Sequence, residues 1–390
     1  MDKILSIGTP LRVETDRFGP FVFQCGIDIE ALKLPLQRVE DAHARFAASP
    51  LAQVANLLER EVIASSIFGT NTIEGGTLTE EETAFAMDLD PAKVQEIEQR
   101  RVLNIKAAYD AARKAAHTPG WSLSLPFIQE IHRLITDGLP HPENQPGVLR
   151  DNPKHKTTVV GDDAHGGRYK PPQYGSDIHR LLTALISWHQ SLLDSGVHPL
   201  VRAPLMHFYF ELIHPFWDGN GRVGRVIEAT LLMAAGYRYA PFAMARFYLG
   251  KIDHYFTLFN SCRKAAERKA DNPNQGFVAF HQEGMLQTIN TLHDRVNHIV
   301  AILLFEAHVR DLFDKKAINP RQYTILCQLR TGPVPVDELR NTPWYSSLYI
   351  KLSDKTRGRD IQQLREQNLI HLDTENKLYP GYMQPAAAKL

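Results

Sequence analysis

Residues 214 to 225 read His-Pro-Phe-Trp-Asp-Gly-Asn-Gly-Arg-Val-Gly-Arg. Pro215 disfavours α geometry at the residue before it, so a helix should end at His214. That leaves an imidazole on a loop, able to exchange a proton near neutral pH. Gly219, Asn220 and Gly221 then form a permissive loop leading into a new helix. Glycines let backbone approach a ligand closely, and the N–H groups of a helix start attract phosphate. Asp218 offers one carboxylate beside that anion site, which suits Mg²⁺ with phosphate filling the rest of its shell. Arg222 and Arg225, three apart on the helix, can grip further phosphate oxygens. A base, a metal carboxylate, an anion nest and two guanidinium groups describe a polyphosphate-handling centre.

The surrounding chain must supply helices to hold that segment. It has 390 residues, 44 Lys and Arg against 44 Asp and Glu, and 43% hydrophobic residues. These values fit a soluble globular protein of two or three domains and exclude a wholly basic nucleic-acid coat protein. Cys25, Cys262 and Cys327 lie far apart, which argues against a disulfide scaffold and for a reducing, cytoplasmic setting. No leader or membrane span is expected: the apolar run Ala229 to Phe242 is short and broken by Gly236, Arg238 and Pro241. Residues 1 to about 50 read as an arm of short strand and loop pieces, punctuated by Pro35 and Pro50. Helices are expected from near Pro50, from about Glu80, from Pro91 to Ala116 and from Ser124 to Gly138. Two short strands, Thr157 to Val160 and Arg168 to Lys170, read as a β-hairpin. Helices resume over Ser176 to Ser195, Leu200 to Ile213 and after Gly221, and a long one covers Gly276 to Lys315. His132, His179, His207 and His281 fall on helical patterns and read as packed or surface residues rather than ligands.

The twelve-residue segment matches every specified position of HxFx[D/E]GNGRxxR, and the chain therefore resembles the Fic (filamentation induced by cAMP) family. The likeness covers about residues 50 to 265, including Pro146-Gly-Val-Leu-Arg150 and Tyr169-Lys-Pro-Pro172. It implies a mainly α fold, a Fic-type helical bundle with a β-hairpin flap. It also implies a protein adenylyltransferase that moves AMP from ATP onto a Ser, Thr or Tyr hydroxyl of a target protein or of itself. His214 would be the general base. Asp218 would hold Mg²⁺ on the α- and β-phosphates. Asn220 with the Gly219 and Gly221 backbone would bind the α-phosphate, Arg222 the β-phosphate and Arg225 the γ-phosphate. Phe216 would be a core anchor. The flap would hold a target segment by strand addition.

Thr70-Asn-Thr-Ile-Glu74-Gly75 matches the family's inhibitory motif, [S/T]xxxE[G/N]. By that resemblance Glu74 would pair with Arg225 and deny it to the γ-phosphate. In some relatives the equivalent Glu helps remove AMP, so a bifunctional enzyme stays open. From Ile318 the texture becomes helix, helix, helix, hairpin, the layout of a winged helix-turn-helix domain. From Lys315 onward 12 Lys and Arg stand against 7 Asp and Glu, a net of +5. Lys351, Lys355, Arg357, Arg359 and Arg365 cluster where a recognition helix would lie. A DNA-binding regulator with a nucleotide-sensing Fic domain is thus the alternative to an autoinhibited transferase whose winged helix recruits partners or a second copy. The expected division is an N-terminal arm and helical region over 1–115 with the inhibitory motif at 70–75. A catalytic core follows over 116–265, with the flap at 157–170 and the motif at 214–225. Linking helices cover 266–314 and the winged helix 315–390.

Overall fold

A computed structural model describes residues 9–48, 55–330 and 332–383. The chain divides into two units, 1–292 and 293–390. The first opens with two strands, β1 (Leu11–Glu14) and β2 (Pro20–Phe23), paired antiparallel with Leu11 opposite Phe23. The helix α1 (Ile29–Ala48) then runs straight through Pro35, where the sequence suggested a break. An interior proline costs a helix about 3 kcal/mol. Here Leu32, Leu36, Val39 and Phe46 form one buried stripe, each worth about 1.5–3 kcal/mol, so burial outweighs the lost hydrogen bond. The helix start expected near Pro50 lies outside the described residues.

Next come α2 (Ala55–Ile73), α3 (Glu80–Ala86) and α4 (Ile97–Ala116). Thr79 and Glu82 close a capping box on α3. The start of α4 is later than Pro91, because the Asp90 carboxylate takes the Ala92 N–H and its carbonyl takes that of Lys93, folding a turn instead. Then follow α5 (Leu125–Thr136), α6 (Gly175–Asp194), α7 (Pro199–Ile213), α8 (Asn220–Ala234), α9 (Ala240–Gly250), α10 (Ile252–Glu267) and α11 (Gln275–Asp314). No helix among the described residues is long and apolar enough to cross a membrane.

Apolar residues surround α7 on every side: Leu200, Val201, Leu205, Met206, Phe208, Phe210 and Ile213 are all buried. A helix of that kind belongs in the middle of a bundle. It packs on α8, to which the six-residue connection 214–219 joins it, and α4, α5 and α9 also pack on α8. The connection is thus held between the two most buried helices of the unit. The 157–170 segment makes only one bridge, Val160 to Tyr169, rather than two short strands. The Gln173 side chain takes both the N–H and the carbonyl of Thr158, which a longer ladder would need.

The second unit carries α12 (Pro320–Leu329), β3 (Val334–Pro335), α13 (Val336–Asn341), α14 (Pro343–Leu348), α15 (Asp354–Glu366), β4 (Ile370–Leu372) and β5 (Lys377–Pro380). Its sheet is antiparallel in the order β3-β5-β4. Leu326, Leu329, Leu339, Tyr345, Leu364 and Ile370 share its core with Phe305 and Val309. Lys351, Lys355, Arg359 and Arg365 are exposed, but Arg357 is half-buried over the Tyr345 and Tyr349 rings and leaves the basic cluster. Asp360, buried on α15, accepts from Asn319 Nδ2 at 3.0 Å, Arg321 Nε at 2.8 Å and the Tyr349 hydroxyl at 3.1 Å. Burial would raise its pKa, but these donors outweigh burial and hold it below the usual carboxylate range. Removing the charge strands Arg321, so Asp360→Asn is expected to destabilise this unit by about 2–3 kcal/mol, read as a lower urea midpoint followed by tyrosine fluorescence.

Candidate active site

His214 caps the C-terminus of α7 in the left-handed region, with φ 49° and ψ 63°. Such a backbone costs a non-glycine residue about 1–2 kcal/mol and persists only when its surroundings enforce it. Arg150 does so. Its Nε donates to the His214 carbonyl at 2.6 Å, and its backbone N–H donates to the Pro215 carbonyl at 2.9 Å. The same guanidinium reaches the Pro172 carbonyl at 2.5 Å and Asn152 Oδ1 at 2.6 Å. Arg150 is fully buried, and desolvation pulls its pKa down to about 10, still protonated at neutral pH.

The loop beyond is held from two sides. Asn220 closes on Phe216, its Oδ1 accepting from the Phe216 N–H at 2.9 Å and its Nδ2 donating to the Phe216 carbonyl at 2.8 Å. Its side-chain amide is therefore engaged with the loop, which leaves the Asn220 backbone at the start of α8. Phe216 is buried and stacks face to face on His132, with ring centroids 3.7 Å apart. His132 accepts the Gly147 N–H at Nδ1 and so donates from Nε2 to the Asp218 carbonyl at 3.1 Å. Burial lowers its pKa to about 4, which keeps it neutral in this role. Gly219 sits at φ 79° just before α8, where a side chain would be strained and would press on Thr136.

Asp218 is the one carboxylate of the loop. It is 39% exposed and accepts from Arg222 Nη2 at 3.1 and 3.2 Å. Burial works against its charge, but Arg222 and the Gly219 N–H prevail and keep its pKa low. No group of three metal-ligating side chains occurs among the described residues. A single, partly exposed carboxylate fits Mg²⁺ that arrives with phosphate oxygens, and not a cation held by protein alone.

Arg225 lies one turn into α8, 3% exposed. Glu74 Oε1 meets its Nη2 at 2.5 Å, the Thr70 hydroxyl takes its Nε at 2.7 Å, and the Tyr255 hydroxyl lies 3.4 Å from Nη1. Burial would lower the guanidinium pKa, but Glu74 and Tyr255 push it up, so it stays charged. The Glu74 carboxylate also overlies the first turn of α8: a Cβ on Gly221 would collide with it. Gly75, at φ 81°, ends α2 and turns the chain just after Glu74. Glu74, Gly221, Arg225 and His214 line one cavity of about 310 Å³ with Val160, Tyr169, Glu211, Tyr255, Phe256 and Asn260. The flap covers it, tied to α10 by Asn260 Nδ2 on the Gly167 carbonyl at 2.7 Å and Lys264 Nζ on the Gly166 carbonyl at 2.6 Å.

The structure thus gathers Glu74, His214, Gly221 and Arg225 around one cavity, and pairs Asp218 with Arg222 beside it. Sequence reasoning missed Arg150, His132 and Tyr255 as site residues. Arg150 stood in the quoted Pro-Gly-Val-Leu-Arg run, which was the available signal. A lysine cannot reproduce its fork of contacts. Arg150→Lys is expected to lose about 2–4 kcal/mol of stability, with at least two buried carbonyls left unpaired. Guanidinium chloride titration reads this directly, and an unchanged midpoint would refute the pinning.

Residues 122–232 match the Fic/DOC family. A relative named protein adenylyltransferase Fic from Nematostella vectensis is 28% identical over 180 residues, covering 46% of this chain and 39% of that protein. One of the same name from Drosophila ananassae is 28% identical over 206 residues, covering 52% of this chain and 38% of its own length. The match thus spans about two fifths of those relatives. Among solved structures, a Fic family protein from Desulfovibrio desulfuricans G20 superposes over 90% of this chain and 95% of its own, with a TM-score of 0.54 at 19% identity. Fic-1 from C. elegans covers 69% of this chain and 73% of its own, at a TM-score of 0.54 and 20% identity. These two likenesses concern the fold. Residues 122–232 of this chain are a Fic domain.

Proposed function

We propose that this protein is an adenylyltransferase that transfers AMP from ATP to a Ser, Thr or Tyr hydroxyl of a target protein or of itself, restrained by Glu74. The observation that carries the reading is the Glu74 carboxylate at the first turn of α8, on Arg225, in the cavity that His214 lines. That place suits an anion, because a helix N-terminus and a guanidinium converge on it. A protein carboxylate there stands where a nucleotide phosphate would bind.

In the proposed reaction the target hydroxyl oxygen forms a bond to the α-phosphorus. The α-phosphorus bond to the bridging oxygen breaks, pyrophosphate leaves, and the hydroxyl proton passes to the His214 imidazole. Arg150 holds that imidazole's backbone in place, and the Gly219–Gly221 backbone presents N–H groups to the developing charge. Asn220 shapes this loop by its grip on Phe216. Arg222 and Arg225 would hold the outer phosphates once released from Asp218 and Glu74. Asp218 would hold Mg²⁺, which supplies positive charge to the phosphates. We assign the second unit as a winged helix-turn-helix that recruits a partner, a second copy or DNA, and the cytoplasm as the compartment. The four exposed basic residues at and before α15 support a polyanion contact, but Arg357 does not join them.

A charge-assisted contact is worth about 1.5–3 kcal/mol, which would keep the ATP-competent arrangement to roughly 1–10% of molecules. With α-labelled ATP, Glu74→Gly should therefore raise AMP incorporation about 10–100-fold. His214→Ala should lower it by ~10²–10⁴ in that background. Equal labelling of wild type and Glu74→Gly would sink the restraint, and undiminished labelling in His214→Ala would sink the transferase.

A further inference from the structure

Arg225 has three side-chain partners. Two of them, Thr70 and Glu74, belong to the inhibitory segment. The third, Tyr255, stands on α10, and it begins a chain of buried groups. The Tyr255 hydroxyl lies 3.0 Å from His207 Nε2, and His207 Nδ1 lies 2.7 Å from Glu228 Oε2. Tyr248 donates to Glu228 Oε1 at 2.8 Å, and His281 Nε2 approaches the same oxygen at 3.6 Å. Arg225, Tyr255, His207 and Glu228 are all buried.

Donors and acceptors assign one direction to the chain. A guanidinium only donates, so the Tyr255 oxygen accepts from Arg225. The Tyr255 proton then goes to His207 Nε2, and the Nδ1 proton of His207 goes to Glu228. Burial pushes the Tyr255 phenol up and keeps it a donor. Burial opposes the charge on Glu228, but the hydrogen bonds it accepts from His207 and Tyr248 favour the carboxylate, and its pKa lies below the usual value. Each bond polarises the next, so the negative charge at the far end strengthens the tyrosine oxygen as an acceptor for Arg225. The close approach of His207 to α8 depends on Gly224, where a Cβ would lie 2.8 Å from its ring carbon.

We propose that Tyr255, His207 and Glu228 are positioning residues for Arg225: they hold its guanidinium in the anion site, and balance its buried charge, when Glu74 moves away. This rests on the reading of the cavity as an ATP site in which Arg225 takes the γ-phosphate. Without such an anchor, displacement of Glu74 would leave a long, charged side chain buried with only the neutral Thr70 hydroxyl to aim it and nothing to balance its charge, at a high cost. With it, Arg225 keeps one geometry whether its anion comes from the protein or from a nucleotide.

The test uses the full chain carrying Glu74→Gly, titrated calorimetrically with magnesium and either α,β-methylene ATP or ADP. Adding Tyr255→Phe removes one hydroxyl and keeps the ring. Adding Glu228→Gln removes the charge and keeps an acceptor for His207. Each should weaken the triphosphate about tenfold and leave ADP within a factor of two. Equal weakening of both nucleotides, the mark of a packing role, overturns the proposal, as does no change in either. Should Glu228→Gln not fold, Tyr255→Phe alone decides. Labelled ATP given to Glu74→Gly tests the underlying reading separately, since absence of AMP transfer with the selective affinity loss intact removes the enzyme and leaves the chain.

Discussion

A buried guanidinium must meet an anion, and Arg225 is such a group. Removing an arginine from water without a counter-charge costs several kcal/mol, so its surroundings are built to supply one. The Glu74 carboxylate does this from one side and Glu228 from the other, through a tyrosine and a histidine. Two anions for one cation leave the arrangement with a choice. One anion is deep and fixed in the bundle, and the other stands at a helix end where Gly75 turns the chain. In the function proposed for this site, a nucleotide phosphate would compete with the second and not with the first.

The fold serves this arrangement by burying α7 and α8 all round. Their connection is held at several points by neighbouring side chains. Arg150 holds the His-Pro step, Asn220 holds Phe216, and His132 both stacks on Phe216 and holds the Asp218 carbonyl. These contacts fix a strained imidazole backbone beside a row of helix-start N–H groups. The geometry is preorganised by packing and hydrogen bonds together.

Much of the site was legible because it is local. Pro215 marks the end of α7, Gly219 marks the left-handed step, and the register of Arg222 and Arg225 follows from the helix. The pairing of Glu74 with Arg225 spans 151 positions and was legible only through the family motif. Arg150 acts on a carbonyl 64 positions away, and Tyr255 on a histidine 48 away, so local spacing carries no trace of either contact. His207 read as a packed or surface residue on a helix; it is packed, and its partners make it one link in a polar chain. The shortened flap pairing and the unbroken α1 have the same origin. A side chain at Gln173 competes for strand hydrogen bonds, and a buried stripe overrides Pro35.

One detail of Arg150 reaches further. Its guanidinium grips the Pro172 carbonyl at the root of the flap as well as the backbone around the imidazole. The two are riveted through a single planar group, with no soft joint between them. A peptide seated along the flap would therefore be measured from the same fixed datum as the base, and its depth of insertion would be set by the scaffold before any chemistry begins.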